Sequence, residues 1–220
     1  MEGFGPAALP QRSPLEGRTV ALEPLDPEAH AADLIRASAD PEIFRYLFEG
    51  PFEDKDAQRR WLEGAAKLSD PLFLAVAPRA SGAASGIVSY MRMVPEHGVI
   101  EIGNIWFGAG LERTAAATET VYLLAKHAFE DLGNRRLEWK TNALNERSRR
   151  AALRFGFTFE GIFRQHMAVK GHNRDTAWFS MLDSEWPAVR AAFEAWLDPA
   201  NFDAGGAQRS PLAARRDHPA

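Results

Sequence analysis

The sequence predicts a mixed α/β domain, in which one central mixed sheet is flanked by helices. Three observations lead there. Three short apolar or alternating runs at 72–77, 86–94 and 99–107 are joined by short turns and read as an antiparallel meander. An amphipathic helix follows, and after it the run Arg136-Leu-Glu-Trp-Lys-Thr141 has the composition of another strand. A strand reached through a helical crossover is free to lie parallel to the strand before it, which makes the sheet mixed.

The elements can be justified in chain order. Residues 1–16 hold several Pro and Gly without periodicity and are expected to form a flexible arm. Residues 19–25 alternate and form a first strand. Asp26-Pro27 opens a helix to about Ala39, with Asp26 as N-cap and Pro27 in its first turn. Asp40-Pro41 opens a short helix through Phe44 to Phe48. Gly50-Pro51 interrupts the chain, and Asp54 caps a third helix that carries Trp61 and Leu62. After the meander, the long helix is expected at 113–132, because Ala117, Val121, Leu124, Ala128 and Leu132 repeat at three- and four-residue spacing. Gly133 suits its C-terminal cap. Asn145 caps a helix closed by Gly156, and 157–169 with 176–182 form a last hairpin turning at 171–173. A helix with Trp186, Val189, Phe193 and Trp196 ends a single domain of 17–198. The tail 199–220, with its Arg215–Arg216 pair, is expected to be disordered.

Composition narrows the function. Hydrophobic residues are 45% of the chain, enough for a sizeable core, and the net charge of −4 does not favour a nucleic-acid polymer as partner. There is no cysteine, so disulfides, thiolate zinc sites and thiol nucleophiles are excluded together. The six His lack metal-ligand spacing, so no metal is expected; His127 and His166 are the two with any claim to a site. The sequence shows no secretory signal and no membrane-length apolar run, and a cytoplasmic location fits.

The chemistry concentrates at the start of the long helix, in Leu-Glu-Arg113-Thr114-Ala115-Ala116-Ala117-Thr118. A helix start presents unpaired N–H groups and a partial positive charge, and small side chains let a phosphate approach them. Together with Ile102-Gly-Asn104-Ile-Trp106 before it, Asn145-Glu-Arg-Ser148 leading to Phe155-Gly-Phe157, and the stretch from Phe159-Glu-Gly161 to Trp186, this order of motifs resembles the GNAT superfamily of acyl-CoA-dependent N-acyltransferases, within it the RimJ/RimL-like branch. A further similarity is to the acetyltransferase module that gives immunity to microcin C. Three features depart from the family pattern: Glu112 stands where Gln or Arg is usual, Ala115 stands where the first Gly is usual, and the helix after Asn145 lacks the Tyr common in the superfamily.

The resemblance implies direct transfer of acetyl from acetyl-CoA to a primary amine, without a covalent enzyme intermediate. It implies that N–H groups of residues Arg113, Thr114, Ala115, Ala116, Ala117 and Thr118 meet the pyrophosphate. A backbone N–H near Trp106 or Phe107 would meet the thioester oxygen, and Asn145 the pantetheine arm, compatibly with its capping role. Ser148 is the candidate acid for the departing thiolate; alternatively it satisfies first-turn backbone groups. Glu101 is the candidate base, or else an exposed strand carboxylate, and Asn104 is placed to orient the amine. Arg147, Arg149, Arg150 and Arg154 offer charge to the 3′-phosphate or form a solvated face.

The acceptor is expected among aromatics that include Phe48, Trp139, Phe163 and Trp178, with Phe48 and Trp139 as substrate contacts. The implied acceptor is a protein or peptide N-terminus or a small aminoacyl compound such as an aminoacyl nucleotide. The family also contains homodimers, so a homodimer is an option. The alternative reading is a degenerate module of the same fold that binds acyl-CoA or a protein partner without turnover.

Overall fold

The computed structural model describes residues 5–214. Its centre is a sheet built from β1 (Leu15–Glu16), β2 (Val20–Pro24), β3 (Leu72–Pro78), β4 (Gly86–Val94), β5 (Val99–Phe107), β6 (Arg136–Asn142), β7 (Thr158–Val169) and β8 (His172–Leu182), in the order β1-β2-β3-β4-β5-β6-β8-β7. Every neighbouring pair is antiparallel except β5 and β6, which run parallel, as the crossover requires. The helices are α1 (Pro27–Ala37), α2 (Lys55–Ala65), α3 (Ala115–Lys126), α4 (Glu146–Arg154) and α5 (Trp186–Leu197).

The helix starts follow from local chemistry. Asp26, Asp40, Asp54 and Asn145 each accept a backbone N–H of the turn they open, satisfying a donor that has no partner within the helix. Gly133 and Gly156 close α3's extension and α4 at φ values of +71° and +89°, where a side chain would be strained.

Two cores lie on opposite faces of the sheet. On one, Val88, Tyr90, Ile100, Ile102, Leu137, Trp139 and Phe179 pack against Val121 and Leu124 of α3 and Phe193 of α5. On the other, Phe73, Ala75, Ile87 and Trp106 pack against Leu34 of α1 and Leu62 of α2. Complete burial of a leucine such as Leu34 contributes about 1.5–3 kcal/mol.

Four expectations need correction. The long helix begins at Ala115, because Arg113 adopts φ +62° and Thr114 becomes the cap, accepting the Ala117 N–H. Its last part, His127–Asp131, widens into a π-helical turn. The arm is tied down: Leu15–Glu16 pair with β2, and the Ala7 and Ala8 N–H groups donate to Pro95 O and Leu132 O at 3.0 and 2.8 Å. The tail through residue 214 packs back on α5, with Trp196 Nε1 donating to Gln208 Oε1 at 2.8 Å and Leu212 and Ala214 buried. Composition signals only the lack of periodicity in these segments and cannot show that their backbone donors meet carbonyls left open elsewhere. The Arg215–Arg216 pair lies outside the described residues.

Candidate active site

The β5–β6 ladder starts at Val99 and Arg136 and ends at Glu101 and Glu138, although β5 continues to Phe107 and β6 to Asn142. Beyond Glu101 the two parallel strands therefore diverge, and the side of β5 facing β6 carries no ladder partner. A β-bulge at Asn104 (φ +49°), where Asn104 and Ile105 together oppose Val88, offsets the last residues of β5. Asn is among the few side chains that accept this backbone region readily. Its Nδ2 donates to Ser89 Oγ at 3.1 Å, and no hydrogen bond engages Oδ1 among the described residues. The bulge also decides side-chain direction: Ile105 and Phe107 join the α3 core while Trp106 joins the α1–α2 core, so Trp106 and Phe107 can offer the cleft only backbone.

The chain then turns through Gly108–Thr114 into α3. Among the described residues the backbone N–H groups of Arg113, Ala115 and Ala116 make no hydrogen bond, whereas Ala117 N–H is held by Thr114 Oγ1 at 3.2 Å and Thr118 N–H by Thr114 O at 3.3 Å. Free donors in a left-handed-then-helical turn form a concave anion cradle. The Ala117 and Thr118 N–H groups differ from these in being engaged by the cap and the first helical bond, and Thr118 Oγ1 accepts from Arg154 at 3.2 Å. Ala115 stands in the helical first turn, where alanine fits as well as glycine. The conformationally demanding position of the loop is Arg113. Glu112 is exposed and lies 3.8 Å from Arg147, which offsets part of its charge.

At the β6–α4 junction, Asn145 Oδ1 accepts Ser148 N–H at 3.1 Å, so Asn145 is an N-cap whose Nδ2 is left unengaged. Ser148 Oγ accepts from Trp139 Nε1 at 2.9 Å. That bond occupies one lone pair and leaves the hydroxyl proton to be donated, oriented by a buried indole. Trp139 packs against Phe155 and Phe157 on the α4 side of the sheet, on the face opposite Glu138 and Lys140. The expectation that Trp139 contacts the acceptor meets a side chain buried in the α4-side core, whose polar atom is bonded to Ser148. Of the basic residues of α4, Arg154 folds inward over Phe155 and Trp196, and Arg150 pairs with Glu146 at 3.3 Å.

The other face carries an ionic chain. Glu101, 2% exposed, accepts from Arg92 at 2.8 and 3.0 Å and pairs with Lys140 at 2.9 Å. Lys140 also meets Glu138 at 2.6 Å, Glu138 meets Arg136 at 2.7 Å, and Arg136 holds Glu160 in a two-pronged contact at 2.7 Å. This contact keeps the Glu160 carboxyl below its ordinary pKa despite partial burial. Glu101 is neither an exposed strand carboxylate nor a free base: both oxygens already face cations. Lys140 lies 3.9 Å from the centre of the Trp178 ring, and Trp178 packs at a tilt against Phe163, with ring centres 4.5 Å apart.

The loop after α1 covers this face. Lys170, in the β7–β8 turn, donates to Phe44 O and Glu49 O at 2.7 and 2.8 Å, and Tyr46 OH reaches Leu144 O at 3.4 Å. These ties set Phe48 beside β8, where the Arg174 guanidinium sits 4.8 Å from its ring centre. His166 contacts Thr176 Oγ1 at 3.0 Å beside this wall, whereas His127 is half-buried against Tyr90 and structural.

The diverging parallel strands thus lead into a helix start with unbonded N–H groups. The family model described as "Acetyltransferase (GNAT) domain" matches residues 19–158. The chain belongs to the GNAT acetyltransferase family. A GCN5-related N-acetyltransferase from Brucella melitensis superposes with a TM-score of 0.94 at 49% identity, covering 96% of this chain and 97% of that one. The Bacillus subtilis protein named "Putative ribosomal N-acetyltransferase YdaF" is 30% identical over 105 residues, 48% of this chain and 57% of its own length, so the match spans little more than half of that relative. An uncharacterized N-acetyltransferase, p20, of Bacillus licheniformis is 27% identical over 156 residues, 67% of this chain and 84% of that one. Among the described residues no helix is long and apolar enough to cross a membrane, and no group of His, Cys, Asp or Glu is arranged to hold a metal.

Sequence reasoning missed Arg92, Glu138, Lys140 and Arg174 in this GNAT chain. The signal for two of them was present: Arg136-Leu-Glu138-Trp-Lys140 alternates charged and apolar residues, which marks a strand with one apolar and one ionic face. Arg92 is aimed by a bulge held by Asp70, which accepts the Arg92 and Met93 N–H groups at 2.8 and 3.2 Å, a non-local contact without a sequence pattern.

Proposed function

We propose that this protein transfers an acetyl group from acetyl-CoA directly to the primary amine of a peptide N-terminus or of a small aminoacyl compound. The observation that carries the reading is that β5 loses its β6 partner beyond Glu101 and leads through Gly108–Thr114 to the unbonded N–H groups of Arg113, Ala115 and Ala116. An arrangement of this kind receives an extended pantetheine arm at one end and a pyrophosphate at the other. When bound, acetyl-CoA supplies the activated thioester.

The chain's own groups then have simple tasks. Backbone N–H groups at the end of β5 receive the carbonyl oxygen as it gains charge. Asn104 Oδ1 accepts a hydrogen from the amine and holds its lone pair toward the carbonyl. Nitrogen attacks carbon, the C–S bond breaks, and the sulfur takes the bonding pair with the proton of Ser148 Oγ, whose rotor Trp139 Nε1 fixes. The serine oxygen regains a proton from the new ammonium, so no net proton stays on the protein. The name of the B. subtilis relative favours a ribosomal protein N-terminus as one acceptor to test.

Calorimetric titration with acetyl-CoA is the first test, with micromolar binding expected. Release of free thiol with dipeptides, aminoacyl nucleotides and polyamines is the second. Binding without thiol release across the panel would favour a non-catalytic acyl-CoA module, and absence of binding at millimolar coenzyme would overturn the reading.

A further inference from the structure

The ionic chain described above is internally neutral: Arg92, Lys140 and Arg136 alternate with Glu101, Glu138 and Glu160. Arg174 is left over. It lies on β8, in the same alternation as Thr176 and Trp178, and is only 6% exposed. Its guanidinium makes no hydrogen bond or ion pair among the described residues, and its Nε is buried without an acceptor. Its neighbours are the Phe48 ring and the charges of Arg92, which repels it, and Glu101, which attracts it but is already shared by two cations. Burial and Arg92 both push its pKa down.

An arginine buried without a counter-ion is costly, and proteins seldom keep one unless something else supplies the anion. Its planar fork matches the two oxygens of a carboxylate. The local surplus is a single positive charge, which a carboxylate neutralises and a phosphate dianion overshoots. Phe48 on one side, with Phe163 and Trp178 further along the wall, provides flat apolar surface for the body of the same ligand.

We propose that Arg174 is a specificity residue that receives a carboxylate carried by the acceptor, so that the preferred substrates are amines bearing a free carboxylate, such as short peptides with an apolar or aromatic side chain. This rests on the acetyl-transfer reading, and its test has one arm that does not.

The experiment compares a panel of aromatic dipeptides, alanyl-phenylalanine among them, as free acids and as C-terminal amides, together with an aminoalkyl phosphate, using the full chain and acetyl-CoA. The wild type is expected to favour the acid over the amide by at least about tenfold in kcat/KM, mainly through KM. Arg174→Gln is expected to bring the ratio to within about twofold by raising KM for the acid, with acetyl-CoA affinity unchanged; Arg174→Lys restores part of the preference. Equal use of acid and amide by the wild type, a ratio that survives Arg174→Gln, preference for the phosphate, or no turnover of any member of the panel would overturn the proposal.

The independent arm is thermal. Removing a guanidinium whose Nε is buried without an acceptor raises Tm, by about 2–4 °C for a chain of this size. A lower Tm for Arg174→Gln would mean that the guanidinium supports the fold through Phe48, and would overturn the assignment even if acetyl-CoA binds. Failure of acetyl-CoA to bind would instead strike the transfer reading and leave the thermal result standing.

Discussion

Replacing Glu101 by Gln tests whether this carboxylate organises the site or acts as a base. The side chain is buried, with Arg92 and Lys140 within 3.0 Å. Taking one member from a buried ion pair typically costs about 3–5 kcal/mol, because the partner charge is left without compensation. Here the loss is smaller: Lys140 keeps Glu138, and the Arg92 side chain, 36% exposed, can turn partly to water. About 2–3 kcal/mol is therefore expected, a fall in Tm of about 5–10 °C at this chain length. Lys140→Met should cost a similar amount, since Glu101 keeps Arg92 and Glu138 keeps Arg136. The double variant should be less destabilised than the sum, by at least about 1 kcal/mol, because the two residues share one contact. Thermal and urea denaturation of the four proteins measure the cycle. A shift below about 2 °C for Glu101→Gln, or strict additivity, would refute the reasoning. The pH profile separates the roles. If Glu101 positions Lys140 and Trp178, Glu101→Gln lowers kcat/KM without moving the acid limb; disappearance of that limb would make it the base after all.

Three further outcomes follow from the same geometry. Ser148→Ala should lower kcat about 100-fold, within the usual range for a lost general acid, with acetyl-CoA affinity by calorimetry changed less than twofold; equal losses in both would reduce Ser148 to a structural role. Gly86→Ala places a Cβ 2.6 Å from the Trp106 carbonyl, a backbone atom in the paired strand that cannot yield without opening the ladder, so a Tm decrease of several degrees with weakened acetyl-CoA binding is expected, and an unchanged Tm would mean that the strand end has slack. Glu160→Gln removes a carboxyl held below its ordinary 4.5 by Arg136; its stabilisation exists above that value and is lost as pH falls through the folded value, so the Tm gap between wild type and variant should be open at pH 7 and close as the pH drops well below 4.5, and a gap independent of pH would refute the pairing.

What the sequence made legible was local. The caps at Asp26, Asp40, Asp54 and Asn145 and the stop at Gly133 are decided within four residues, and the structure places each where the side-chain chemistry requires. The meander and the parallel crossover followed from turn length and element order. The helix start was displaced by two residues because an arginine rather than a glycine takes the left-handed position at 113, a choice that no propensity indicates. The site was read less completely for a different reason. Periodicity tells that successive strand residues face opposite sides, but which side meets the acceptor depends on partners distant in the chain. Trp139 therefore reads as an acceptor contact although it packs on the α4 face, and Glu101 cannot be seen between Arg92 and Lys140, which come from the two neighbouring strands.

Strand β6 shows why this matters for function. Its alternation separates two tasks by one peptide unit. Trp139 points to α4 and fixes the hydroxyl of Ser148, while Glu138 and Lys140 point to the opposite face and hold Glu101 and the Trp178 ring. The divergence from β5 begins at Glu138, the residue before Trp139. The ionic chain thus lies where pairing stops, and it holds β4, β5, β6 and β7 together through side chains as the β5–β6 backbone ladder gives out. An apolar replacement of the whole chain could be as stable, and, because the chain is neutral, it would leave the charge of Arg174 unchanged. The neutral chain and the arginine beside it therefore differ in kind: the first ties neighbouring strands through paired side chains, and the second has no pairing partner among the described residues.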